Sequence, residues 1–224
     1  MSLMSKDLFK SIAKSSNSHD LVDKVGETAL DAVLDDGVLK DIPIIGTAVS
    51  LYKAGDSIRA NLFAKKILAF LNEIEGLSLE QRQHFIEQNF TNAQDEEKVS
   101  EVIMSFIDNA DRAKSCTYLG RAFNLYALGY INQRTYDLYC STLRRLSNYL
   151  IQQIHQFYSN EKSYGVEFHA IHELASLGLV DIAVTLQMFD ESKGLFQQPK
   201  RNDFGGHFYI NILAQDFAEQ EIYE

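Results

Sequence analysis

Residues 41–74, DIPIIGTAVSLYKAGDSIRANLFAKKILAFLNEI, decide how the rest of the chain is read. Pro43 suits a first helical turn, because the N–H it lacks would have no intrahelical partner there. Ile44, Ala48, Leu51, Gly55, Ile58 and Leu62 follow at spacings of four and three, one stripe at about 100° per residue. Ile45, Val49, Tyr52, Phe63, Ile67, Phe70 and Ile74 form a second stripe about 110° round the axis. The spacing predicts one long helix from Pro43 to Ile74 with two apolar faces, central in a bundle.

The Ile42–Ala54 part is nearly free of charge and carries Gly46 and Gly55. Ile42, Pro43, Ile44, Ile45, Gly46, Val49 and Tyr52 are therefore also the candidate residues of an interaction or membrane-contact segment. Lys53, Asp56 and Arg59 interrupt it well short of the roughly 20 apolar residues that a crossing needs. Contact with a bilayer surface would use the scattered cations Lys53, Arg59, Lys65 and Lys66.

Working outward, the 224-residue chain is 46% hydrophobic with 14 Phe and 11 Tyr, enough to bury a sizeable core in one or two domains. Its net charge of -10 repels phosphate, so nucleic-acid binding needs a local basic patch that the sequence does not offer. Cys116 and Cys140 fall at apolar helical positions, as small buried hydrophobes do. With no basic region followed by an apolar run and cleavage site at the N-terminus, the expected compartment is the cytoplasm.

Residues 1–18 read as an N-terminal arm, with Leu8, Phe9 and Ile12 as its apolar contacts, and 19–160 as a helical bundle. Within the bundle, Asp20–Leu39 is a helix capped by Ser18 and ended near Gly37. Ser78 and Gln81 make a capping box for the next. Val99, Val102, Ile103, Phe106, Ile107, Ala110 and Ala113 form the cleanest stripe, and Cys116, Leu119, Phe123 and Tyr126 continue it to Gly129. Asn132 caps a helix running from Gln133 to about Ser159. The Gly129 turn has the glycine and isoleucine of a calcium loop but no carboxylates from Asn124 to Arg134, so calcium is rejected.

The pattern changes at 165–224. A helix over Val166–Leu177 is closed by Gly178, and Val180, Ile182, Val184, Leu186 and Met188 alternate as a strand. A loop with Gly194, Pro199, Gly205 and Gly206 leads to a second alternating run, Phe208, Ile210 and Ile212. This order, with "YINILAQDF" at its end, resembles the last part of winged-helix domains, in which Asn211 would take the place of the threonine that caps the closing helix. The resemblance implies a winged-helix-like α/β unit with one two-stranded hairpin. Lys193, Lys200 and Arg201 are the candidate wing contacts. From Gly165 to Glu224 those three cations face ten carboxylates, a net of -7, which favours protein over DNA as the partner.

His169, His172 and His207 with Glu173 match no metal spacing. No phosphate loop, Gly-x-Ser-x-Gly elbow or His-Glu-x-x-His helix is present. The expected protein is thus mainly α, a multi-helix bundle with the small C-terminal unit, and its layout resembles that of small bacterial proteins. It is expected to be non-enzymatic, without cofactor or metal, and to serve protein-protein interaction or regulation. The partner is another protein or a second copy. A membrane-active effector using 42–54 and a DNA-binding regulator are the alternatives.

Overall fold

Local capping chemistry sets many of the element boundaries in the computed structural model, which describes residues 3–14, 42–52, 57–89, 93–159, 168–187 and 194–221. Helices make up 80% of these, with one two-stranded hairpin, so the protein is mainly α as expected. The chain divides into two compact units, Met1–Cys140 and Ser141–Glu224.

In the first unit, α1 (Leu3–Lys14) is followed by α2 (Pro43–Tyr52), α3 (Ser57–Ile74), α4 (Leu79–Asn89), α5 (Ala93–Asn109) and α6 (Ala113–Ala127). The expected single helix over 43–74 is two helices, which pack against each other as collinear halves of one helix cannot. The second stripe is the buried one in α3, where Phe63, Ile67, Phe70 and Ile74 are covered, while Leu62 of the first stripe is 53% exposed. Helix α1 buries Leu8, Phe9 and Ile12 and packs on α2, α4 and α5. Ser11 Oγ accepts from the Ile44 N–H (3.1 Å), satisfying a helix-start donor of α2 that proline punctuation alone leaves open. Thr47 Oγ1 donates to Asp7 Oδ2 (2.7 Å), and buried Arg82 donates from Nη1 to Ile12 O (3.0 Å).

Helices α3 and α6 cross closely. Gly120 permits it: a Cβ there would lie 2.6 Å from Glu73 Cβ and 2.9 Å from Phe70 O. Beside it Arg121 Nε sits 3.4 Å from Glu73 Oε1, and Asn124 Nδ2 donates to Glu73 O (2.6 Å). Phe70 and Phe85 pack edge-on against Phe123 below this crossing.

The Ser78–Gln81 box forms in both directions, at 2.8 and 3.1 Å. Gly129 ends α6 at φ +74°, which glycine adopts without the cost a Cβ imposes. Asn132 Oδ1 accepts from the Thr135 N–H and so caps α7 (Gln133–Arg145). The helix expected to run to Ser159 stops at Arg145 because Ser147 starts another, α8 (Asn148–Ser159), by accepting from the Leu150 N–H (3.3 Å).

In the second unit α8 buries Leu150, Ile151, Ile154 and Phe157 and packs on α9 (Phe168–Ser176) and on a π-helical turn, Tyr209–Leu213. The division between units therefore falls within α7, upstream of the expected 160–165 boundary, a stretch that lies outside the described residues, as does the expected 20–39 helix. Strand β1 (Asp181–Gln187) pairs antiparallel with β2 (Gly194–Lys200), from Asp181 opposite Lys200 to Gln187 opposite Gly194. The expected second strand at Phe208–Ile212 is instead helical: α10 (Asp203–Phe208), the π turn and α11 (Ala214–Glu221) follow one another. Burial of Phe208, Tyr209, Ile212 and Leu213 at spacings of one, three and four, with Ile210 65% exposed, gives the helical face. Asn211 does not cap; its Nδ2 donates to His207 O.

Candidate interaction surface

The hairpin is held firmly at its base. Asn202 caps α10 by accepting from the Gly205 N–H at 2.7 Å, while its Nδ2 donates to Gly178 O and to Asp181 Oδ1, both at 3.0 Å. One side chain thereby ties the end of β2 to the turn that starts β1. Gly178 itself stands at φ +74°, closing α9 with the Leu179 N–H on Leu174 O (2.9 Å). Tyr158 of α8 donates its hydroxyl to Leu179 O (2.8 Å); burial pushes that hydroxyl above its ordinary titration range, against the opposing pull of the Asn202 backbone and Arg201, so it remains a donor. Gly205 leaves room for this arrangement, since a Cβ there would run into Leu179 O and the Tyr158 hydroxyl. Behind them the His155 ring stacks on Phe217 at 3.6 Å and shares a 2.8 Å hydrogen bond with Tyr209.

Beyond that base several of the described hairpin side chains are exposed. Ala183 and Val184 are neighbours and so point to opposite faces, yet both are exposed, Val184 at 59%. Gln197, Gln198 and Lys200 on β2 are exposed too. Among the described residues the sheet has no third strand.

Its two edges are unequal. Pro199 stands opposite Ile182 and has no N–H to give, so their pairing is of the non-hydrogen-bonded kind. By alternation, Ile182, Val184 and Leu186 turn their backbone N–H and C=O groups away from β2, toward the open edge of β1. The matching edge of β2 lacks a donor at Pro199.

Of the wing residues named from the sequence, Lys200 is exposed and Lys193 lies outside the described residues. Arg201 is an internal tie: Nε and Nη2 donate to Phe157 O at 3.2 and 2.8 Å, and the guanidinium lies 5.7 Å from the Phe157 and Tyr158 ring centres. In the 42–52 segment Ile44 and Ile45 are 0% exposed, Ile42, Pro43 and Gly46 are half-buried, and the side chains of Val49 and Tyr52 lie outside the described ones. No described helix is long and apolar enough to cross a membrane. Cys116 and Cys140 are buried, and burial pushes the Cys116 thiol up to about 12.

No group of three or more His, Cys, Asp or Glu side chains converges as a metal site among the described residues. A cleft of about 500 Å³ in the first unit is lined by Arg59, Leu62, Phe63, Lys66, Asp108 and Asn109. Its Lys66 Nζ donates to Asp108 O (3.1 Å), which places a cation on the negative end of α5. The sequence reading missed Asn202 and placed Gly194 and Pro199 in a loop, whereas both stand in β2. An Asx side chain three residues before Gly205, and a proline inside a strand partner, were the available signals.

Comparison with known proteins finds no matching family model, no similar curated protein and no similar solved structure.

Proposed function

We propose that the protein is a non-enzymatic protein-protein interaction or regulatory protein, and that its C-terminal unit is the docking module. The order helix, strand, connection, strand, helix is winged-helix-like, and the wing is read as binding protein. The observation that carries this reading is the hairpin itself: pinned at its base by Asn202, bare on both faces at Ala183 and Val184, and open along β1. The unit's net of -7 supports a protein partner over DNA, because a phosphate backbone meets the wrong sign. Arg201, which donates to Phe157 O, stands just after the end of β2, so its charge lies at the base of the hairpin and not at its tip.

Genetic complementation with Val184→Lys tests the reading. The exposed position tolerates lysine, so the variant is expected to fold with unchanged circular dichroism and to lose the cellular role that the wild-type chain restores. Full complementation by folded Val184→Lys speaks against the hairpin as the docking element. Turnover of a nucleotide, nucleic acid or ester by the pure chain, abolished by changing one cleft residue, overturns the non-enzymatic reading.

A further inference from the structure

We infer that the cleft in the first unit binds a small organic carboxylate with an apolar tail. Arg59, Leu62, Phe63 and Lys66 follow one another on α3 at steps of three, one and three, so a single helix face sets two apolar side chains between two cations. Asp108 and Asn109, at the end of α5, supply the rest of the lining. The volume of about 500 Å³ is that of a small-ligand site. A protein partner engages about 20–30 residues a side, well beyond what this lining offers.

Charge selects the head group. Arg59 and Lys66 against Asp108 leave a local net of +1 on a chain whose net is -10. Lys66 is half-buried, and the 3.1 Å bond to Asp108 O holds its ammonium in place. That bond uses one of the three N–H donors of an ammonium and leaves two for a carboxylate, in bonds about twice as strong as those between neutral groups. Arg59 is exposed and adds positive potential at the rim. Asp108 opposes an anion without cancelling both cations. An exposed leucine by itself is ordinary, but Leu62 is 53% exposed beside buried Phe63 in the same cleft, which gives the tail an apolar surface to cover.

The test is calorimetric titration of the full chain with octanoate, and with octanol and octylammonium, which carry the same tail on other head groups. Octanoate is expected to saturate one site with Kd below about 1 mM, and the other two to bind at least about tenfold more weakly. Lys66→Gln keeps a donor for Asp108 O and should weaken octanoate about tenfold, whereas Asp108→Asn should tighten it about threefold. Equal binding of the three probes marks attachment by the tail alone and overturns the proposal. Preference for octylammonium assigns the cleft to cations and overturns it too, as does absence of saturation by octanoate at about 1 mM. Octanoate binding that both variants leave unchanged lies elsewhere on the chain and equally refutes the site. If circular dichroism shows Lys66→Gln unfolded, the three probes on the wild-type chain and the Asp108→Asn titration still decide. The hairpin takes no part in this cleft, so failure here leaves the docking module to stand or fall on Val184→Lys.

Discussion

Replacing Gly120 with alanine pits helix propensity against packing, and the geometry decides the outcome. Alanine at a helix interior gains about 1 kcal/mol over glycine. Against this, the new Cβ would sit 2.6 Å from Glu73 Cβ and 2.9 Å from Phe70 O, about 1 Å inside ordinary contact distance. Neither atom is the far end of a flexible side chain, so α3 and α6 must move apart. Overpacking of this kind costs about 1–3 kcal/mol. The same displacement pulls Glu73 O from Asn124 Nδ2 and the Glu73 carboxylate from Arg121, at about 1 kcal/mol more. The net expectation is a loss of about 2 kcal/mol, a melting temperature lower by roughly 4–8 °C. Urea unfolding followed by tyrosine fluorescence should show a lower midpoint with unchanged slope. An unchanged or raised midpoint would refute the reasoning, because it would mean that the crossing relaxes without cost and propensity wins.

Gly205→Ala should destabilise the C-terminal unit by at least about 2 kcal/mol, whereas Gly206→Ala, whose Cβ would meet Tyr158 Cε1 at an ordinary 3.6 Å, should be neutral or stabilise by up to about 1 kcal/mol through helix propensity; near-UV circular dichroism through a denaturant series separates them. Arg201→Ala is expected to cost about 1 kcal/mol after allowance for its exposure, and Lys200→Ala nearly nothing, a contrast that equal urea midpoints would remove. Native protein should present no thiol to a disulfide reagent at pH 8 and two after unfolding, since both cysteines are buried; rapid reaction of the folded chain contradicts this. The Cys116 thiol is raised from an ordinary 9.0 to about 12 and the Tyr136 hydroxyl is raised well above 10.0 by burial, so the stability they contribute is fully present below pH 9 and is lost as pH rises toward 12. Urea midpoints measured from pH 8 upward should fall only in that upper window.

Features governed by a few adjacent residues were legible. The Ser78–Gln81 box, the Gly129 and Gly178 ends and the Asn132 cap need only local backbone geometry, and each stands where its residues predict. Burial of Cys116 and Cys140 followed from their place on apolar stripes. What failed depended on distant partners. Periodicity carried the helix reading from Pro43 through to Ile74, but it cannot register that the two halves pack on each other. Likewise the reading of one helix from Gln133 to about Ser159 hid the start at Ser147. The run Phe208, Ile210, Ile212 alternates like a strand, yet burial of Tyr209 and Leu213 alongside makes it helical. Conversely β2, with two glutamines and a proline, has weak strand character of its own and is fixed by pairing with β1. The bare hairpin was visible only as an alternating run. Its exposure at Ala183 and Val184 follows from what the other described residues leave uncovered.

The π turn at Tyr209–Leu213 has a consequence for how this chain tolerates changes of length. Over eight residues of regular α-helix, at about 100° each, Phe217 would emerge about 80° round from Tyr209, although both meet the His155 ring. One wide turn absorbs the rotation of a single residue, as an insertion in an otherwise regular helix does. Removing one residue there, such as Ile210, which is 65% exposed, lets the segment wind as plain α-helix while the flanking faces keep their phase. Most single-residue deletions in a helix turn everything downstream by about 100°. At this position the chain carries a spare residue that can be dropped without rotating its own tail.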